Sequence, residues 1–361
     1  MRAAPSKVLA NGIRIATALL CLLPAIALGA ATAVTPAPVI LTRGVNITGW
    51  FRFPASRDPA ALAAYLSDRA LADLRAAGFD FVRLAIDPDV TDTKVLIAAI
   101  RRIQRQGLTV VVSPHPHDWR LETEGDRLRA FWRALAPALR PLDPARTVPE
   151  VVNEPVFPHD PAGWAALQHA VLADIRHALP GVTVVVTGQD WGSIGGLLAS
   201  TPEAEDNVIY SFHFYDPAEL TSLAAYRPNL DRTALAQLPF PVTDHCAATA
   251  ADAATADVIR YYCALGWNAP LLDAATARAA AWAQTHHVRL LAGEFGASAA
   301  LNPASRLNWL RAARVAFETH GIAWALWGYD DIMGLAVPRP PAPRPVLDRA
   351  VLQALGLTTG M

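Results

Sequence analysis

The stretch that decides the fold is FVRLAIDPDVTDTKVLIAAIRRIQRQGLTVVVSPH, residues 81–115. Its first run, Phe81–Ile86, is apolar on both alternating faces except at Arg83, as a strand buried on both sides requires. Residues 93–106 then place Val95, Leu96, Ala99, Ile100 and Ile103 on one face at helical period. Gly107 falls where a left-handed helix cap is expected, and residues 108–115 return to a β-branched run. Strand, helix and strand in that order make a parallel βαβ unit.

The same alternation continues in both directions. Further strands are expected at residues 39–47, 150–154, 183–188, 208–215, 288–294 and 323–327. Helical spacing recurs at 60–77 (after Asp58-Pro59), 128–139, 162–179, 274–285 and 304–319, and Gly78 and Gly181 each follow such a helix. Eight strand–helix units favour a closed (β/α)8 TIM barrel in the α/β class, as a single domain. A doubly wound open sheet would want a glycine fingerprint after the first strand. Gly44-Val45-Asn46-Ile47-Thr48-Gly49 lacks that spacing. The longest departure from the repeat is an insertion after strand six, residues 216 to about 272, which holds Cys246 and Cys263 and is expected to wall or cover the barrel mouth.

Composition narrows the function. Of 361 residues, 53% are hydrophobic and only 17% charged, which excludes a disordered chain. The formal net charge is −1 with no basic block, so no nucleic-acid partner is expected. Residues 1–33 read as a signal peptide: Arg2, Lys7 and Arg14 precede an apolar run interrupted by Pro24, and Ala31-Thr32-Ala33 offers a cleavage site. Residues 34–361 would then be the catalytic barrel, secreted or periplasmic, off the membrane after cleavage and monomeric. In an oxidising compartment Cys246 and Cys263 can pair; the sequence leaves that open.

Barrel enzymes build their sites at the C-terminal ends of the strands. Here those ends carry Arg83, Ser113-Pro114-His115-Pro116-His117, Asn153-Glu154-Pro155, His213 with Tyr215, Glu294-Phe295-Gly296 and Trp327. A buried carboxylate at such a place needs a partner or a task.

In this order the segments resemble glycoside hydrolase family 5, the cellulase family of the retaining (β/α)8 clan. The resemblance rests on Arg43-Gly44-Val45-Asn46 with Gly49-Trp50-Phe51, on residues 78–84, on residues 150–155, on residues 211–215, on Gly293-Glu294-Phe295-Gly296 and on Trp324-Ala325-Leu326-Trp327. It spans about residues 41–331. It implies double displacement on a β-linked polysaccharide, with Glu154 as acid/base and Glu294 as nucleophile. It further implies substrate-binding roles for Arg83, Asn153, His115, His213, Tyr215 and Trp327, with Arg83 and Tyr215 orienting Glu294, and neither metal nor cofactor. His117 competes with His115, and Trp50 and Trp191 are candidate sugar platforms. Trp132, Trp164, Trp282 and Trp309 read as core. Glu294's charge is expected to raise the pKa of Glu154. An endo-β-1,4-glucanase is the favoured activity, β-mannanase or another β-glucanase the alternative. Two other classes compete: a metallohydrolase using His115 and His117, which leaves both glutamates unexplained, and a barrel that binds carbohydrate without cleaving it.

Overall fold

A computed structural model describes residues 39–246, 250, 252–338 and 345–358, so the expected signal peptide lies outside the described residues. The parallel strands are β1 (Arg43–Phe51), β2 (Phe81–Ile86), β3 (Thr109–Pro114), β4 (Thr147–Pro149), β5 (Val184–Thr187), β6 (Val208–Phe214), β7 (Arg289–Phe295) and β8 (Ala323–Leu326). They form one eight-stranded sheet in the order β4-β3-β2-β1-β8-β7-β6-β5. A single parallel bridge between Glu150 and Val185 joins the two outer strands. The sheet therefore closes, and the (β/α)8 barrel is the observed architecture.

Alternation along the strands divides the core in two. Val82, Leu84, Ile86, Val110 and Val112 belong to the main apolar cluster, which they share with Leu96, Ile100 and Ile103 of the helix Thr93–Arg105. Phe81, Val111, Val148, Val185, Ile209, Leu291 and Ala325 form a second cluster with Val39 and Leu41, which fills the lower barrel. Gly44 makes room for the Phe81 ring, since a β-carbon there would stand 2.3 Å from it. Two residues beyond Phe81 on the same side, Arg83 begins a polar upper layer.

Strand four departs from the sequence reading. Hydrogen-bonded pairing covers Thr147–Pro149, not residues 150–154. The β-branched pair Val151-Val152 suggests a strand, and the segment still bonds on both sides, Val151 N–H to the Val185 carbonyl and Asn153 N–H to the Pro114 carbonyl, each at 2.9 Å. The ladder ends because the chain must turn a glutamate into the mouth. Glu154 has φ of +42°. The helix expected at 60–77 is likewise two, Pro59–Ala64 and Asp68–Ala77, because Ser67 caps the second by accepting from the Ala70 amide.

The insertion after β6 contains the short helices Ala218–Thr221 and Arg232–Leu235 and the longer Ala253–Leu265. Leu220, Leu235, Leu238, Phe240 and Tyr262 are buried in the main core. The insertion is tied to the chain after β7: Ser298 N–H donates to Thr221 and Asn302 Nδ2 to the Leu238 carbonyl. It thus builds a wall on the β6–β7 side of the mouth. Cys246 and Cys263 are bonded.

Candidate active site

The site grows from Arg83, which is fully buried on β2. Its guanidinium grips Glu150 with two nitrogens, each at 2.7 Å, and donates to Asn46 Oδ1 at 2.9 Å, Asn153 Oδ1 at 2.8 Å and Glu294 Oε1 at 2.6 Å. Burial disfavours this cation, yet Glu150 and Glu294 together hold its pKa above the ordinary arginine value. Neither Glu150 nor Asn46 was singled out in the sequence. A signal existed for Glu150: it is a charge in a β-branched stretch, and Arg83 was the cation available to pair with it.

Asn46 fixes the opposite side. Its Nδ2 donates to the Gly293 carbonyl at 3.0 Å, just ahead of Glu294. There the register of β6 against β7 slips between Phe212 and His213, a bulge that turns Glu294 to face His213. Tyr215, just past β6, donates from its hydroxyl to Glu294 Oε2 at 3.0 Å. Glu294 is 3% exposed and accepts from both Arg83 and Tyr215.

His213 lies between the two glutamates. Its Nδ1 is 2.9 Å from Glu154 Oε1 and 3.5 Å from Glu294 Oε2. One oxygen of each glutamate and one His213 nitrogen all lie within 4.8 Å of one another. Burial opposes charge on His213, but Glu294 and the bond to Glu154 raise its pKa. Burial also pushes Glu154 up, and there the His213 bond and charge win, so Glu154 sits below the usual carboxylate range. Glu294 is pushed above it by burial, against His213 and Arg83. The like-charge push expected on Glu154 is felt instead at Glu294, which Glu154 helps to raise, while the His213 bond and charge bring Glu154 down.

His115 is 2% exposed, packs its ring 5.9 Å from that of Trp327, and has no partner at either ring nitrogen. Burial, with Arg83 and Arg52 nearby, holds its pKa well below 6.5, so it is neutral. His117 points outward against Phe53, ring centres 5.5 Å apart. Among the described residues neither histidine belongs to a group of three potential metal ligands, so the metal-pair reading loses its further ligand. Asn153 spends its oxygen on Arg83, and its amide nitrogen has no protein acceptor among the described residues. Trp50 is corrected from candidate platform to core: it is wholly buried and bonds the Leu62 carbonyl through Nε1. Trp191 is 62% exposed, and its amide donates to the carbonyl of Pro155, beside Glu154.

Comparisons with known proteins give the family and support the fold. The model of the family described as cellulase (glycosyl hydrolase family 5) matches residues 43–331. Endoglucanase 3 of Fibrobacter succinogenes is 25% identical over 330 residues, covering 80% of this chain and 49% of that protein. Endoglucanase E-5 of Thermobifida fusca is 28% identical over 126 residues, 30% of this chain and 25% of that one. This chain thus spans half or less of the length of these relatives. Among solved structures, endoglucanase Cel5A from Thermotoga maritima superposes with a TM-score of 0.70 at 22% identity, over 87% of this chain and 96% of that one. The cellulose synthase subunit Z of Clostridioides difficile gives 0.69 at 21% identity, over 88% and 99%. By the family match across its barrel, the chain belongs to the cellulase family, glycosyl hydrolase family 5.

Proposed function

We propose that the protein is a retaining glycoside hydrolase of a β-linked polysaccharide, acting as an endo-β-1,4-glucanase. The observation that carries the reading is the close approach of Glu154 and Glu294, with oxygens within 4.8 Å. Retaining enzymes hold their two carboxyl groups about 5–5.5 Å apart, whereas inverting ones leave about 6.5–9.5 Å for a water. Glu294 is the nucleophile, because Arg83 and Tyr215 bond both its oxygens and orient it. Glu154 is the acid/base. Its proton resides at rest on the Glu154–His213 pair and passes to the leaving oxygen as the glycosyl–Glu294 bond forms. Once Glu294 is esterified its charge is gone, and Glu154 takes a proton from the incoming water.

The remaining side chains bind sugar. The free amide of Asn153 donates to the 2-hydroxyl, and Trp327, backed by the buried ring of His115, lies under the sugar. Exposed aromatics on both sides of the carboxylates, Phe53 and Trp191, support binding of a chain rather than a chain end. The Cys246–Cys263 bond supports export to an oxidising compartment.

The test is release of reducing ends from β-1,4-glucan, mannan, xyloglucan and β-1,3-glucan by the protein and by its Glu154→Gln and Glu294→Gln variants. β-1,4-Glucan should be the best substrate, and each variant should lose about three orders of magnitude or more in kcat. Full activity in either variant would overturn the roles. Preference for mannan would move the substrate while leaving the chemistry.

A further inference from the structure

At the end of β1 the chain folds back, and the amides of Arg52 and Phe53 both donate to the Thr48 carbonyl, at 3.3 and 3.0 Å. The turn lays the Arg52 guanidinium 4.7 Å from the centre of the Phe53 ring and 5.6 Å from that of Trp327. These rings, with His115 against Trp327, make a wall built from β1, β3 and β8. Trp191 and Glu154 stand on the β4–β5 side.

Other arginines drawn out of water reach acceptors, and Arg314, whose Nε is likewise buried without one, still pairs with Glu318 through Nη1. Arg83 has its carboxylates, Arg306 donates to the carbonyls of Ala297, Met333 and Gly334, and Arg289 to that of Val39. Arg52 differs. It is half-buried, its Nε is buried without an acceptor, and it enters no ion pair among the described residues. A guanidinium carries five N–H donors and cannot shed its proton, so leaving it unsatisfied out of water is costly. The facing rings offset part of that cost but accept no hydrogen bond in the guanidinium plane. His115 on the same wall is neutral. Glu294 and Glu154 act on the Arg52 charge through space but neither bonds it, so its donors remain available beside the place where a sugar would lie on Trp327.

We propose that Arg52 is a specificity-determining residue that binds a carboxylate substituent on the sugar held against Trp327, so that the enzyme prefers an acidic β-glycan to a neutral one. The planar fork of a guanidinium matches a carboxylate with two parallel hydrogen bonds. The proposal rests on the glycan-hydrolase reading of this site and adds the chemical class of substituent.

Two polymers with one backbone separate charge from sugar: carboxymethyl and hydroxyethyl β-1,4-glucan, matched in degree of substitution. Arg52→Leu should lower kcat/KM about ten-fold more on the carboxymethyl polymer than on the hydroxyethyl one. Arg52→Lys, which keeps the charge but not the fork, should fall between, and added salt should erode the wild-type preference. Equal losses on both polymers would overturn the proposal and leave Arg52 a hydroxyl contact or a packing residue. A second measurement does not depend on turnover: binding of glucuronate and of glucose to the protein and to Arg52→Leu, followed by NMR titration. Glucuronate should bind more tightly than glucose, and only in the protein that keeps Arg52. If neither polymer is cleaved, the glucan reading fails and the binding result alone decides this one; glucuronate bound no better than glucose overturns it.

Discussion

His213 touches Glu154 directly and lies 3.5 Å from Glu294, which makes the three groups one titrating unit rather than two catalytic carboxyls and a neighbour. With its pKa raised, His213 can share the proton that the proposed first step consumes. The proton-loaded form should persist to higher pH than a lone carboxylic acid would allow. His213→Asn keeps a donor for Glu154 but cannot carry the charge, so the proton must then sit on Glu154 itself. The sign follows from the starting points: a carboxylic acid, even lifted by burial and by Glu294, gives up its proton before an imidazolium stabilised by two carboxylates. The basic limb of kcat/KM against pH should move to lower pH in His213→Asn, with kcat down about ten-fold or more. An unmoved basic limb would mean that the acid proton never resides on this pair. Much of this centre was legible in the residues themselves. Glu154, Glu294, Asn153, His213 and Tyr215 meet because strand ends converge in a barrel. Glu150 was legible only as a charge in a β-branched stretch, and Arg52 and Asn46 not at all, because their importance comes from which neighbours they have or lack, and a linear sequence does not order those.

Strand ends set the aim of these side chains, and the β7 bulge is the sharpest case. A β-carbon on Gly293 would lie 2.4 Å from Ser211 Oγ, a contact to which the serine hydroxyl or the strands themselves must yield. Gly293 also supplies the carbonyl that Asn46 holds. Gly293→Ala should cost about 1–3 kcal/mol of stability, read by urea unfolding. It should lower kcat by a larger factor than that loss alone implies, since the next residue is Glu294. Ser211→Gly in the same chain should recover much of both. Failure of that rescue would mean that the bulge does not aim Glu294. The misplaced strand four has a related cause. Periodicity reads Val151-Val152 as ladder, whereas pairing thins to the single Glu150–Val185 bridge, with the Glu150 side chain on Arg83, and is gone where Glu154 turns to His213. Where a segment breaks the rule that fits its neighbours, the break marks the site.

At the scale of the whole molecule, eight βα units close on one another, and the insertion after β6 is what the repeat does not explain. Its length was visible in the sequence, and its docking was not, because the contacts to Ser298 and Asn302 link segments far apart in the chain. Several of its apolar side chains join the main core, so the insertion and barrel should unfold together rather than in two steps. The Cys246–Cys263 bond closes a loop with a sequence separation of 17, for which chain entropy gives about 3 kcal/mol. Reduction, or Cys246→Ser with Cys263→Ser, should therefore lower the melting temperature by roughly 4–5 °C while keeping a single cooperative transition. Calorimetry under oxidising and reducing conditions reads both. A second, earlier transition on reduction would instead mean that the insertion is an independent unit. The wall beside β6 and β7 would then owe its place to the disulfide rather than to its buried leucines, Phe240 and Tyr262, and activity would fall at the temperature of that first transition.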